Sequence, residues 1–137
     1  MGGYEYLLIK NFDHWFVQLH EKQCYLGRLI IAAKREDDVD FFEMSPDERE
    51  EFFDLGRKVK KALSDLFQPD RLNYANLQNI WNHLHVHVIP RYASSRTFDG
   101  IVFQDQRWGK NYAPYDSEFK VPESTQFKIR DSLKERL

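Results

Sequence analysis

His83-Leu84-His85-Val86-His87-Val88-Ile89-Pro90-Arg91 is the stretch on which both fold and chemistry turn. Imidazoles alternate with apolar residues, and a proline closes the run, so the spacing predicts a β-strand. Successive side chains on a strand point to opposite faces. His83, His85 and His87 therefore share one face, and Leu84, Val86 and Val88 share the other. The apolar face can pack on a core. The imidazole face is poor core material, because each ring needs hydrogen-bond partners once buried. A chance row of exposed histidines is a weak account of so regular a period. Two chemistries remain. Histidines at i and i+2 can bind zinc, although no cysteine pair or acidic partner motif lies nearby. Alternatively, one imidazole attacks phosphorus while its neighbours hydrogen-bond the phosphate oxygens and the leaving group. Spacing alone leaves both readings open.

Working outward, Leu72 to Leu77 reads as a strand just upstream. Before it, Ser45, Pro46 and Glu48 form a helix start with a capping box. Phe52, Leu55, Val59, Leu63, Leu66 and Phe67 then recur at helical spacing until Pro69 stops the helix. The charged face of this helix needs no explanation beyond solvation. Tyr6 to Ile9, Phe16 to Leu19 and Leu29 to Ala33 are short apolar or aromatic runs that suggest an antiparallel meander. Downstream, residues 92–118 read as irregular and aromatic-rich. So long a stretch is uncommon in a compact domain and often serves function or an interface. Phe103, Trp108 and Tyr112 are its candidates for covering a ligand or a partner, with core packing an equal alternative. Residues 124–137 can form a short amphipathic helix through Ile129, Leu133 and Leu137. The expectation is one domain over residues 1–137, of the α+β class. Its antiparallel sheet should have about five strands, with the long helix on one face.

The 137 residues carry 20 basic and 22 acidic side chains, a formal net charge of −2. No global basic field exists, so a non-specific nucleic-acid binder is not expected. The single cysteine, Cys24, excludes an internal disulfide framework and fits a reducing compartment. The N-terminal Met1 to Tyr6 lacks a basic start and a long apolar run, and Tyr6 stands where myristoylation needs Ser or Thr. The longest apolar run, Leu29 to Ala33, is far too short to span a membrane. A cytoplasmic protein is expected. No phosphate-binding glycine loop of the P-loop type and no Gly-x-Ser-x-Gly elbow is present. His14 and His20 have no sequence partners and read as structural or solvent-exposed.

The His-x-His-x-His run, followed by Val88-Ile89-Pro90-Arg91, resembles the signature of the histidine triad family of nucleotide hydrolases and transferases. Upstream, Asn73-Tyr74-Ala75-Asn76-Leu77-Gln78-Asn79 resembles the family's Asn-containing strand and turn. Gln23-Cys24-Tyr25-Leu26-Gly27-Arg28-Leu29-Ile30-Ile31 resembles its Gly-led core strand. The resemblance runs from about Trp15 to Arg91. It implies that His85, the middle histidine, is the nucleophile. His85 would attack the α-phosphorus of a nucleotide conjugate, form a nucleotidyl-histidine, and release a mononucleotide to water. His83 and His87 would contact phosphate and leaving group. Asn76 would approach the α-phosphate and ribose side. Asn79, in a position where many members carry Gln, is a further candidate.

Several positions depart from the family pattern. Trp81 and Asn82 precede the triad where Val-Pro or a similar pair is common. Gln78 replaces a turn glycine, and the segment from Asn76 to His83 is short. Arg28 stands where some branches carry a fourth histidine, with a role near phosphate or a plain surface charge as its alternatives. The retained His87 favours hydrolysis over transfer. The resemblance further implies a homodimer, no protein-bound cofactor, and magnesium only as a companion of the substrate. The substrate class would be dinucleoside polyphosphates or nucleoside phosphoramidates. Two other readings stand beside it: a nucleotide-binding module without turnover, and a strand-borne histidine metal site.

Overall fold

The computed structural model describes residues 4–137; Met1 to Gly3, the start of the N-terminal stretch read above, lie outside them. Five strands form one antiparallel sheet: β1 (Leu8–Asn11), β2 (Trp15–Leu19), β3 (Leu29–Ala33), β4 (Arg71–Ala75) and β5 (His85–Arg91). Their spatial order is β1-β2-β3-β5-β4, so the histidine strand sits between the all-buried β3 and the edge strand β4. The helix α1 (Pro46–Phe67) covers one face. This is the α+β arrangement that the sequence predicts.

Helix α1 begins where the capping signals place it. Ser45 Oγ accepts from the Glu48 N–H at 3.2 Å, and Glu48 Oε1 accepts from the Ser45 N–H at 2.8 Å. It ends at Gln68, whose left-handed φ of 46° turns the chain out before Pro69. Leu55, Val59, Ala62, Leu63 and Phe67 point inward and meet Val17, Leu19, Leu29, Ile31 and Val88 of the sheet. Fully burying one such side chain contributes about 1.5–3 kcal/mol. Glu51 ties the helix to the β1–β2 turn by accepting from the His14 and Trp15 N–H groups.

One glycine is dictated by this packing. Gly27, at φ +88°, leads into β3, and a Cβ placed there would lie 2.9 Å from Leu63 Cδ2. Both the backbone angle and the close approach to α1 exclude a side chain.

Some boundaries differ from expectation. The first strand starts at Leu8, after a 3-10 turn at Glu5–Leu7. The strand expected at Leu72 to Leu77 ends at Ala75. Gln78, with φ 50°, bends the chain and donates its amide to the Val39 and Asn82 carbonyls. The histidine strand starts at His85, so His83 precedes it rather than sharing its regular alternation. Residues 92–118 are not wholly irregular. They contain the hairpin β6 (Arg96–Phe98) and β7 (Ile101–Phe103). Asp99 and Gly100 supply its two positive φ values, 53° and 75°. The second helix, α2, spans Glu123–Lys134 and buries Ile129 and Leu133. No described helix is long and apolar enough to cross a membrane.

Candidate active site

Pairing in the sheet decides which side chains gather. His85 lies opposite Ala32 and His87 opposite Ile30, while Ile30 also faces Gln18 on β2. Paired residues share a face. His85, His87, Ile30 and Gln18 therefore stand together on the face away from α1, where Val86 and Val88 point. Arg28 and His20, one step beyond the paired ends of β3 and β2, join them. The result is a cavity of about 550 Å³ that also takes Leu77, Asn79, Ile80 and Trp81 from the β4–β5 connection and Tyr112 and Tyr115 from the C-terminal third. Its size suits a small-molecule ligand.

His85 is only 5% exposed, and its orientation is set by its own strand entry. Nδ1 lies 2.6 Å from the His83 carbonyl oxygen. A carbonyl only accepts, so Nδ1 carries the proton and Nε2 keeps its lone pair. Burial holds the imidazole below its ordinary pKa, against the opposing pull of the bond to the His83 carbonyl. A neutral ring with one free nitrogen is what nucleophilic attack needs.

His87 takes the opposite tautomer. Arg28 Nη2 makes a long contact of 3.4 Å to His87 Nδ1. A guanidinium can only donate, so Nδ1 accepts and Nε2 carries the proton. Burial, and then the Arg28 charge, push this histidine down to about 4. His20 behaves alike. Its Nδ1 accepts from the Lys22 N–H at 3.0 Å, and burial followed by the Arg28 charge lowers it to about 3. The two rings lie 5.7 Å apart. The sequence predicts His20 to be structural or solvent-exposed; it lines the cavity instead. The signal that could have found it is positional: His20 and Arg28 flank the loop from β2 to β3, and the His20 N–H bonds the Arg28 carbonyl.

The other candidates are placed as follows. Both ring nitrogens of His83 face protein oxygens, Ala33 O at 2.6 Å and Asp38 Oδ1 at 3.2 Å. Its carbonyl, not its ring, reaches His85. Trp81 stacks on His83 and lies tilted against His85, with ring centroids 5.1 and 4.7 Å away. Asn76 lies across the strand from the cavity, near Val86 and Val88. Its amide donates to the His85 carbonyl at 2.9 Å and to Gln78 Oε1 at 2.8 Å. Asn79 lines the cavity from the loop. Arg28 is 2% exposed, so it is no plain surface charge. Phe103 is a buried core residue, while Tyr112 borders the cavity and Trp108 lies under Arg71.

The far wall of the cavity is built, not loose. Arg91 forms a buried ion pair with Asp105 at 2.7 Å. It also donates to the Arg107 and Lys110 carbonyls and to Asn73 Oδ1. Tyr25 Oη donates to the Tyr112 carbonyl at 2.5 Å. These contacts deliver Tyr112 and Tyr115 onto Arg28, whose Cζ lies 5.4 and 4.5 Å from their ring centroids. Among the described residues, no three His, Cys, Asp or Glu side chains are grouped to hold a metal ion.

The sequence profile of the HIT domain matches residues 7–94, well over half of the chain. The protein belongs to the HIT, or histidine triad, family, whose members generally bind or hydrolyse nucleotides. Its fold is that of solved histidine triad proteins. One from Sinorhizobium meliloti superposes with a TM-score of 0.79 at 21% identity, covering 96% of this chain and 89% of that one. One from Bradyrhizobium japonicum gives 0.77 at 19% identity, covering 94% and 88%. A hypothetical histidine triad nucleotide-binding protein from Sulfolobus tokodaii gives 0.71 at 16% identity, covering 95% and 82%. No curated protein matches the chain.

Proposed function

We propose that the protein is a nucleotidyl hydrolase acting at the α-phosphate of a nucleotide conjugate. The observation that carries this reading is the 2.6 Å contact from His85 Nδ1 to the His83 carbonyl, which leaves Nε2 free in the cavity. Nε2 attacks phosphorus, a nitrogen–phosphorus bond forms, and the bond to the leaving group breaks. Water then cleaves the nucleotidyl-histidine, releases the mononucleotide and restores the imidazole. The His87 Nε2–H donates to phosphate oxygen, and Arg28 and Asn79 complete the polar wall. Asn76 acts from behind the strand by fixing the His85 backbone. His83 acts chiefly through its carbonyl. No protein-bound metal enters the scheme; magnesium belongs to the substrate.

Two parts of the reading extend beyond chemistry. A homodimer is supported by the free edge of β4 and by exposed Tyr74, Phe53 and Phe42, which border an apolar groove against α1. Light scattering should return twice the chain mass. The alternative of a binding module without turnover is favoured by one contact, the Trp81 ring lying on His85.

The test is a substrate panel. Wild-type protein and His85→Asn are incubated with diadenosine tri- and tetraphosphate and with an adenosine phosphoramidate. Mononucleotide release by the wild type alone supports the hydrolase. Nucleotide binding with no release from any substrate supports the binding module instead.

A further inference from the structure

Among the described residues two arginines are nearly fully buried, and they are treated in opposite ways. Arg91, 3% exposed, is saturated by a carboxylate, two carbonyls and an amide oxygen. Arg28, 2% exposed, has no carboxylate partner among the described residues, and its Nε and Nη1 find no hydrogen-bond acceptor there. Among the described residues, the guanidinium makes one polar contact, the long one to His87, and its faces are held by Tyr112 and Tyr115. A buried cation without a counter-charge is costly, and so are buried donors without acceptors. Among the described residues, the one carboxylate bordering the cavity, Glu21, is exposed and accepts from Tyr4 Oη. The orphaned donors therefore ask for an anion from outside.

Position says which part of the ligand that anion is. Along the cavity, His85 comes first, then His87, then Arg28, with the tyrosines closing the end. A substrate reacting at His85 extends past His87 towards Arg28. Resting on the hydrolase reading above, we propose that Arg28 recognises negative charge on the leaving group. The preferred substrates are then nucleotide conjugates whose leaving group ends in a phosphate or polyphosphate oxygen, such as a nucleoside polyphosphate, rather than an amine.

The proton balance supports this choice. An amine leaving group must acquire a proton as the phosphorus–nitrogen bond breaks. His87 is the ring beside it, and burial with the Arg28 charge keeps that ring neutral at ordinary pH. A polyphosphate needs no proton. The electron pair of the breaking phosphorus–oxygen bond stays on the departing oxygen, and the added charge falls where the guanidinium waits. The fork of a guanidinium also fits phosphate oxygens bidentately.

The experiment compares two substrates and one fragment. Wild-type protein should favour diadenosine tetraphosphate over adenosine phosphoramidate in kcat/KM, and Arg28→Gln should reduce that ratio by about 100-fold. Arg28→Lys should recover part of it. Equal losses on both substrates would overturn the proposal. Inorganic pyrophosphate should raise the Tm of the wild type and of His85→Asn, but not of Arg28→Gln. No shift in the wild type, or an equal shift in Arg28→Gln, would also overturn it. Should Arg28→Gln fail to fold, Tyr115→Leu, which opens one side of the clamp, should weaken the pyrophosphate shift. If the wild type cleaves neither substrate, the hydrolase reading fails, and the pyrophosphate arm still decides whether Arg28 is an anion site.

Discussion

The two faces of the central sheet are buried by different means. Towards α1, Val17, Leu29, Ile31 and Val88 meet Leu55, Val59 and Leu63 in an apolar cluster. On the opposite face, His85 and Arg28 are almost as inaccessible, yet each is polar and Arg28 keeps orphaned donors. The first face behaves as a core should. The second breaks the rule that buried polar groups are satisfied, and such breaks concentrate where function needs them. The difference teaches that the α1 side holds the fold, while the imidazole side is held in place by it and by the Arg91 network.

The largest expected effect separates the faces outright. His85→Asn should lower turnover by about 10⁴-fold or more, because the nucleophile is lost. Its Tm should stay near the wild-type value, because the α1 face is untouched. A large drop in Tm would mean that His85 also supports the fold. Next is Asp105→Ala, which strands the Arg91 charge and frees the wall carrying Tyr112. Denaturant unfolding should show a loss of about 3–5 kcal/mol. Nucleotide affinity should fall with it.

Gly27→Ala attacks the joint between the faces. The left-handed backbone and the approach to Leu63 both oppose a Cβ. A loss of about 2 kcal/mol is expected by the same assay. Solution pH gives the smallest effect. His87 and His20 have folded-state pKa values of about 4 and about 3, below the ordinary 6.5. Below pH 6.5 the unfolded chain binds protons that the folded chain refuses. Stability is therefore complete above pH 6.5 and is lost as pH falls towards 4. Allowing for the partial exposure of His87, the loss by pH 5.5 should be about 2 kcal/mol. Replacing His20 by Gln should flatten the profile. An unchanged profile would mean that neither ring is held neutral.

The α1 face was the more legible of the two in the sequence. Ser45-Pro46 with Glu48, and the helical recurrence of Leu55, Val59 and Leu63, are local signals, and Leu29 to Ala33 is a strand with the bounds expected. On the other face, the His85 and His87 alternation was legible because two residues per repeat is a local period. His83 was not, because its escape from the strand depends on the distant Ala33 carbonyl and Asp38. His20 and Tyr115 were not, because only strand pairing and the Arg91 network bring them to Arg28. The β6–β7 hairpin did carry a local signal, Asp99-Gly100 ahead of the apolar Ile101-Val102-Phe103. It was masked by the polar, aromatic sequence that follows.

The central claim is that His85 Nε2 forms a bond to phosphorus. The most direct test mixes the protein with diadenosine tetraphosphate for less than one turnover and denatures it at alkaline pH, where a phosphorus–nitrogen bond survives. Intact-mass and peptide mass spectrometry then follow. The account predicts a nucleotidyl adduct on the peptide containing His85, absent from His85→Asn. Mononucleotide release with no adduct at any time, or an adduct on His83, His87 or His20, would contradict it.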